Sequence, residues 1–185
     1  MNITVFSSSS TSVDPKFFDA ARSLGAAIAR EGWTTVYGGN DVGPMGALAG
    51  GARSAKGRVV GITPQYFVDV GCADKACDEL IVVESMRQRK QILEQRADAF
   101  VALPGGIGTL EELVEIWVGR QLEMHRKPIV LLNLDGFWEP LLELFRQGIE
   151  SKFYRANTFD MVRVANTVDD VITTLRAQLQ TSAKP

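Results

Sequence analysis

The residues best suited to chemistry stand in two short stretches. The first is Pro104-Gly105-Gly106-Ile107-Gly108-Thr109-Leu110-Glu111-Glu112. The apolar run Phe100–Leu103 ends in its Pro-Gly-Gly and a helical pattern follows at once. That order predicts a buried strand, a tight turn and a helix start. Glycines let the backbone take positive φ and let a ligand approach closely. The first N–H groups of a helix lack internal partners and carry the positive end of its dipole. Gly105, Gly106, Gly108 and Thr109 are therefore candidates to hold a phosphate or carboxylate. Glu112 has two readings. It can close a Thr109-x-x-Glu112 capping box by reaching back to the N-cap N–H, or it can face the ligand as a catalytic carboxylate.

The second stretch is Glu84-Ser85-Met86-Arg87-Gln88-Arg89-Lys90. At helical spacing Met86, Lys90, Leu93 and Ala97 share one stripe and Arg89 lies beside it. Two cations then sit near a buried face at a helix N-terminus, where the dipole disfavours them. A broken local rule tends to mark a functional site. The bland reading is that both side chains snorkel to solvent or pair with acidic residues. We read Arg89 as functional and keep both readings for Lys90. Glu84 and Glu111 are further carboxylates within reach.

These stretches need elements to carry them. Asn2–Ser7 alternates as a strand, and Ser7–Ser12 is a hydroxyl-rich turn whose serines, Ser9 among them, either cap the next helix or bind a phosphate or ribose. A helix runs from Asp14-Pro15 to about Glu31 and stops at Gly32. The strand Trp33–Tyr37 enters a glycine-rich turn, Gly38 to Gly46, in which Gly38, Gly39 and Gly43 form a second candidate anion cradle. An Ala-rich helix, Ala47–Ala55, should lie close to the sheet. Strands follow at Arg58–Thr63 and Leu80–Val83, with 65–79 a surface excursion between them. After the strand Asp98–Leu103, the helix from Thr109 places Leu110, Leu113, Val114, Trp117 and Gln121 on one stripe, with Glu112, Ile116 and Gly119 nearer the opposite face. Apolar character beyond the core stripe points to a second subunit. A strand at Ile129–Leu132, a helix over 137–150, a strand at Met161–Val164 and a helix from Thr167 to Leu179 complete the chain, and the tail 181–185 should fray.

Strands alternate with helices throughout. The pattern predicts an α/β fold, a Rossmann-like doubly wound parallel sheet flanked by helices on both faces, in one nucleotide-binding domain over 1–180. In such sheets ligands bind at the carboxyl ends of the strands, where the order reverses. The serine turn, the Gly38–Gly46 turn, the Glu84–Lys90 segment and the Pro104–Thr109 turn all follow strands, so they should crowd one edge. That set suits a phosphorylated small molecule, most simply a nucleotide.

Composition narrows the choice. The 185 residues are 45% hydrophobic and 23% charged, with a net charge of −2, which favours neither nucleic acid nor an anionic membrane as partner. No apolar run is long enough to span a membrane. The N-terminus lacks the charged region of a signal peptide, so a cytoplasmic location is expected, where Cys72 and Cys77 read as free thiols ahead of a short disulfide. The single histidine, His125, cannot build a His/Cys zinc set, and no G-x-S-x-G accompanies it. Neither a metal nor a cofactor is expected. Gly38 to Gly43 has the spacing of a Walker loop, but Pro44 stands at the lysine position, and no G-x-G-x-x-G follows the first strand.

With these residues in view, the chain resembles the "Lonely guy" (LOG) family of cytokinin riboside 5′-monophosphate phosphoribohydrolases. The family motif P-G-G-x-G-T-x-x-E stands here as Pro104–Glu112 and M-x-x-R-K as Met86–Lys90. Tyr37-Gly38-Gly39, Met45-Gly46, Ala97-Asp98-Ala99-Phe100, Gln121-Leu122 and Lys127-Pro128 also look like the family. The resemblance implies hydrolysis of the N-glycosidic bond of AMP or N6-modified AMP, catalysed by Arg89 and Glu112 without a metal, in a homodimer with sites near the interface. The substrate would be a nucleoside 5′-monophosphate, bound by Ser9, Gly38, Gly39, Gly43, Glu84 and Met86, together with Lys90 and the glycines and threonine of the second motif. This sequence departs from the family at Ser8, where a glycine is usual, at Asn40 and Pro44 in the second turn, at Arg87, and at Val118-Gly119, where Thr-Trp is common. Those positions touch the phosphate turn, the base pocket and the dimer surface. The same residues also fit a nucleotide sensor without turnover, or a nucleosidase for another base.

Overall fold

The structure, a computed structural model, describes residues 1–182. Its strands are β1 (Asn2–Phe6), β2 (Thr34–Tyr37), β3 (Val59–Pro64), β4 (Glu79–Val83), β5 (Ala99–Ala102), β6 (Ile129–Leu132) and β7 (Arg163–Ala165). Among the described residues they form one sheet in the order β4-β3-β2-β1-β5-β6-β7, and every neighbouring pair is parallel. The helices are α1 (Pro15–Arg30), α2 (Gly43–Ser54), α3 (Gln65–Asp69), α4 (Met86–Arg96), α5 (Ile107–Gln121), α6 (Glu139–Glu150) and α7 (Val168–Ser182). From β1 the chain winds outward through β2 and β3 to β4. It then returns past β1 to β5 and winds the other way. The reversal falls between the adjacent strands β1 and β5, and a crevice at their carboxyl ends follows from it.

Both faces of the sheet are covered. One core joins Ile3, Val5, Leu24, Ile28, Leu48 and Leu175 beneath α1, α2 and α7. The other joins Phe6, Ile62, Phe100, Leu113, Trp117 and Leu142 beneath α4, α5 and α6. Strands covered on both sides need apolar residues at successive positions, and all four residues of β5 and of β6 are buried.

Local chemistry sets the helix ends. Asp14 caps α1 by accepting from the Lys16 N–H at 3.0 Å, with Pro15 in the first turn. The small residues of α2 serve a close helix–helix contact as well as the expected approach to the sheet, where Ala49 and Ala52 join the core. A Cβ on Gly25 would lie 2.0 Å from the Leu48 carbonyl oxygen, and one on Gly51 would lie 2.0 Å from that of Arg22.

Three elements differ from the sequence expectation. Helix α2 starts at Gly43 instead of Ala47, because Pro44 has no N–H to lose in a first turn and its fixed φ suits the helix. The last strand is Arg163–Ala165 rather than Met161–Val164, since Ala156–Met161 closes into a 3₁₀ turn. Helix α5 starts at Ile107 with Gly106 as its cap. Thr109 is therefore inside the helix and the Thr109–Glu112 capping box does not form. The buried face of α5 is also rotated: Thr109, Glu112, Leu113, Ile116 and Trp117 are buried, while Leu110, Val114 and Gln121, expected inward, are half-buried. The tail expected at 181–185 begins within α7, which runs to Ser182, and residues 183–185 lie outside the described residues.

Candidate functional site

The four turns that follow strands meet at a cavity of about 330 Å³. The loop after β1 contributes Ser7–Ser10, and the loop after β2 contributes Gly38 and Asn40. Met45 enters from α2, Phe67 from α3, and Met86 and Arg89 from α4. Gly106, Gly108, Thr109, Glu111 and Glu112 close it from the start of α5.

Arg89 reaches the floor of this cavity from the first turn of α4, which Ser85 caps through its hydroxyl. Its Nε donates to the Ile62 carbonyl at 3.0 Å and its Nη2 to the Gly38 carbonyl at 2.9 Å. Nη1 lies 3.7 Å from the Met86 sulfur and 3.8 Å from Glu112 Oε1. Gly38 is required here, because a Cβ on it would lie 1.7 Å from Arg89 Nη2. Both charged side chains are almost wholly buried, Arg89 at 7% and Glu112 at 8% side-chain exposure. Burial pulls the guanidinium below its ordinary value and pushes the Glu112 carboxyl up to about 7. The positive charge of Arg89 opposes that rise, and Glu111 adds to it.

Above this pair the N-terminus of α5 opens onto the cavity. The N–H groups of Ile107, Gly108 and Thr109 have no carbonyl of their own helix to bond, and the dipole adds positive potential there. Across from them Ser7 is 4% exposed and its hydroxyl has no partner among the described residues.

Ser9, Gly38, Met86, Arg89, Gly106, Gly108, Thr109 and Glu112 thus come together around one cavity, as the sequence led us to expect. Five other candidates do not line it. Gly39 has φ +69° and packs its backbone on Ile62 and Thr63. Gly43 starts α2 with φ +66°, and a Cβ on it would lie 2.5 Å from the Ser9 carbonyl carbon. Gly105 leaves room for Thr109, whose Oγ1 would be 2.2 Å from a Cβ there. Three amides of the second turn are spent inside the protein. Asp41 N–H donates to the Cys72 carbonyl, Val42 N–H to Asn40 Oδ1 and Met45 N–H to the Ser8 carbonyl. Glu84 and Lys90 face a neighbouring open cleft of about 880 Å³, lined also by Glu115 and by Glu111, which borders both spaces. Lys90 pairs there with Glu111 and, at 3.0 Å, with Glu115, so its acid-paired reading holds.

One lining residue, Phe67, escaped sequence reasoning, because the aperiodic segment 65–79 forms a single helical turn with no pattern to read.

With this geometry in hand, comparison with known proteins is informative. A family model described as "Possible lysine decarboxylase" matches residues 45–175. A cytokinin riboside 5′-monophosphate phosphoribohydrolase of Mycobacterium marinum is 39% identical over 158 residues, which cover 85% of this chain and 84% of that protein. The chain belongs to the Lonely guy family. Another protein of the same name, from Rhodococcoides fascians, is 37% identical over 95% of this chain and 89% of its own length. Among solved structures, a molybdenum cofactor carrier protein from Chlamydomonas reinhardtii superposes with a TM-score of 0.74 at 25% identity, covering 97% of this chain and 98% of that one. In this member of the Lonely guy family, the P-G-G-x-G-T-x-x-E motif brings a helix N-terminus and a carboxylate to one wall, and M-x-x-R-K brings a guanidinium to the floor.

Proposed function

We propose that this protein is an N-glycosyl hydrolase that cleaves the base from adenosine 5′-monophosphate or N6-modified adenosine 5′-monophosphates, releasing free base and ribose 5-phosphate. The observation that carries this reading is the buried Arg89–Glu112 pair beneath an anion-binding helix end, inside a cavity of nucleotide scale. The relatives named phosphoribohydrolases support the same reaction class.

The chemistry follows from the positions. The amides at the start of α5, with Thr109 and the serine loop, hold the 5′-phosphate. The ribose then lies over Arg89 and Glu112. As the C1′–N bond breaks, positive charge develops on the sugar, and the Glu112 carboxylate stabilises it electrostatically. Water adds its oxygen to C1′. Glu112 takes one of the water's protons, and the leaving base takes up one proton in turn. Arg89 fixes the sugar phosphate by charge-assisted bonds. Among the described residues no helix is long and apolar enough to cross a membrane. We place the protein in the cytoplasm as a homodimer built on the outer face of α5, with neither nucleic acid nor membrane as a partner.

The test is to incubate the protein with AMP and N6-isopentenyl-AMP and to quantify free base and ribose 5-phosphate. Stoichiometric release of both is the expected result. The likeness to molybdenum cofactor carriers supports a second reading, a carrier or sensor without turnover. Tight nucleotide binding with no base released would favour that one.

A further inference from the structure

The Asn40 side chain is a donor without an acceptor. The residue is 8% exposed and lines the cavity. Its Oδ1 accepts the Val42 N–H at 3.1 Å, which identifies the oxygen and leaves Nδ2 as the group to be satisfied. Among the described residues nothing accepts from Nδ2. Unlike the sealed Ser7 hydroxyl, Nδ2 is open to solvent, so a ligand acceptor can take the place of the water that satisfies it.

The donor is also held still. An antiparallel bridge joins Asn40 to Ala73. On one side Asp74 N–H donates to the Gly39 carbonyl at 2.8 Å, and on the other Asp41 N–H donates to the Cys72 carbonyl at 3.2 Å. Asp74 is itself fixed by the Tyr37 hydroxyl at 2.7 Å and by Arg53 at 2.6 Å. A pre-organised donor loses little freedom when a ligand arrives.

Position identifies the part of the ligand that it meets. With the phosphate at the start of α5 and the anomeric carbon over Arg89 and Glu112, the base must extend toward β2 and β3. There the cavity presents Asn40 beside the apolar side chains of Met45 and Phe67. Apolar faces with one convergent polar group are how a pocket receives and orients a flat ring. We propose that Asn40 reads the base, donating a hydrogen bond from Nδ2 to an acceptor on the purine, either a ring nitrogen or a 6-oxo oxygen. The orientation rests on the hydrolase reading above.

The test uses N40D and N40A with AMP, IMP and GMP as substrates and ribose 5-phosphate as a product inhibitor. N40D keeps the acceptor for Val42 N–H and removes the donor. The expected result is a KM raised about tenfold or more for the preferred purine in both variants, with kcat nearly unchanged and, in N40A, unaltered inhibition by ribose 5-phosphate. A penalty confined to IMP and GMP assigns the 6-oxo oxygen, and an equal penalty on AMP assigns a ring nitrogen. A KM unchanged in N40D, or ribose 5-phosphate inhibition weakened in N40A by the same factor as the nucleotides, would overturn the proposal. If the wild-type protein binds nucleotides but releases no base, the hydrolase reading fails by itself. Calorimetric binding of the same nucleotides and of ribose 5-phosphate then decides the role of Asn40 by the same comparison.

Discussion

The Arg89 guanidinium stops 3.8 Å from the Glu112 carboxylate. Its Nε and Nη2 are committed to the carbonyls of Ile62 and Gly38, so Glu112 sits beside a positive charge without being hydrogen-bonded by it. Burial then outweighs the attraction, and the carboxyl rises from 4.5 to about 7. An acid–base group is most effective when its pKa lies near the working pH.

The direct consequence concerns E112Q. The amide is nearly isosteric but can neither stabilise a cationic sugar nor take a proton. We expect kcat for base release to fall by ~10²–10⁴-fold, with AMP binding retained. Steady-state kinetics and calorimetry check it, and E112Q retaining most of the wild-type turnover would remove Glu112 from the chemistry.

The raised pKa has a signature in rate and another in stability. In its proposed role Glu112 acts ionised, so kcat/KM should climb with pH and level off above an apparent pKa near 7. For stability the folded state binds the proton more tightly than the unfolded state. The contribution of this group is therefore fully present below about pH 4.5 and is lost as pH rises to about 7. E112Q escapes that loss, on the order of 3 kcal/mol across the window. Urea denaturation of both proteins at pH 5 and pH 8 should show E112Q gaining on the wild type at the higher pH.

Much of this arrangement could be read from residue order. The alternation of strands and helices gave the sheet, and the misplaced cation at Arg89 with the Pro-Gly-Gly turn gave two walls of the cavity. The failures have physical causes. Thr109 and Glu112 have capping-box spacing, but spacing does not say that Gly106 already caps the helix three residues before Thr109. Gly39, Gly43 and Gly105 looked like ligand-facing glycines, and they are glycine because neighbouring atoms occupy the space of a side chain. Lys90 adjoins Arg89 in sequence, yet one step around α4 turns it into another cleft.

Gly38 offers a way to move Arg89 without replacing it. The atom that a Cβ would meet is Nη2, at the far end of a flexible chain. G38A should therefore displace the guanidinium and lower kcat at least about tenfold, the equivalent of ~1.4 kcal/mol in the barrier. G25A is the contrast. Its Cβ meets the backbone oxygen of Leu48 between α1 and α2, so it should lower Tm markedly and leave the kinetics of the folded fraction alone. Equal kinetics for G38A and the wild type would contradict the contact.

Lys90 hydrogen-bonds Glu111 and the adjacent Arg89 stands beside Glu112, so neighbours on α4 face neighbours on α5. Lys90 also holds Glu115 at 3.0 Å. Its charge lowers the pKa of Glu112, while Glu111 and Glu115 raise it. K90M should thus shift the pH profile of kcat/KM to higher pH, and K90R should restore it. E111Q should move the profile the other way. A K90M profile that coincides with the wild type would leave Lys90 a brace between helices with no electrostatic reach into the site.

The outer face of α5 predicts the assembly. Ile107 is 86% exposed, Val118 46% and Leu122 60%. With the half-buried Leu110 and Val114 between them, they recur every three or four residues and so form one apolar stripe along the helix. Such a stripe is what one copy of a symmetric dimer offers another, since a two-fold axis sets the same patch against itself. Its upper end, Ile107, lies between Gly106 and Gly108, which line the cavity, so a partner on this face would border the cavity mouth. Val118 lies two turns and more below that mouth and touches neither Arg89 nor Glu112. V118E should convert a dimer to a monomer in sedimentation velocity while Tm falls little, because the residue is already exposed in one chain. If the mouth is shaped by the partner, the monomer should bind AMP more weakly at unchanged pH dependence. A V118E protein that remains dimeric would place the interface on another face.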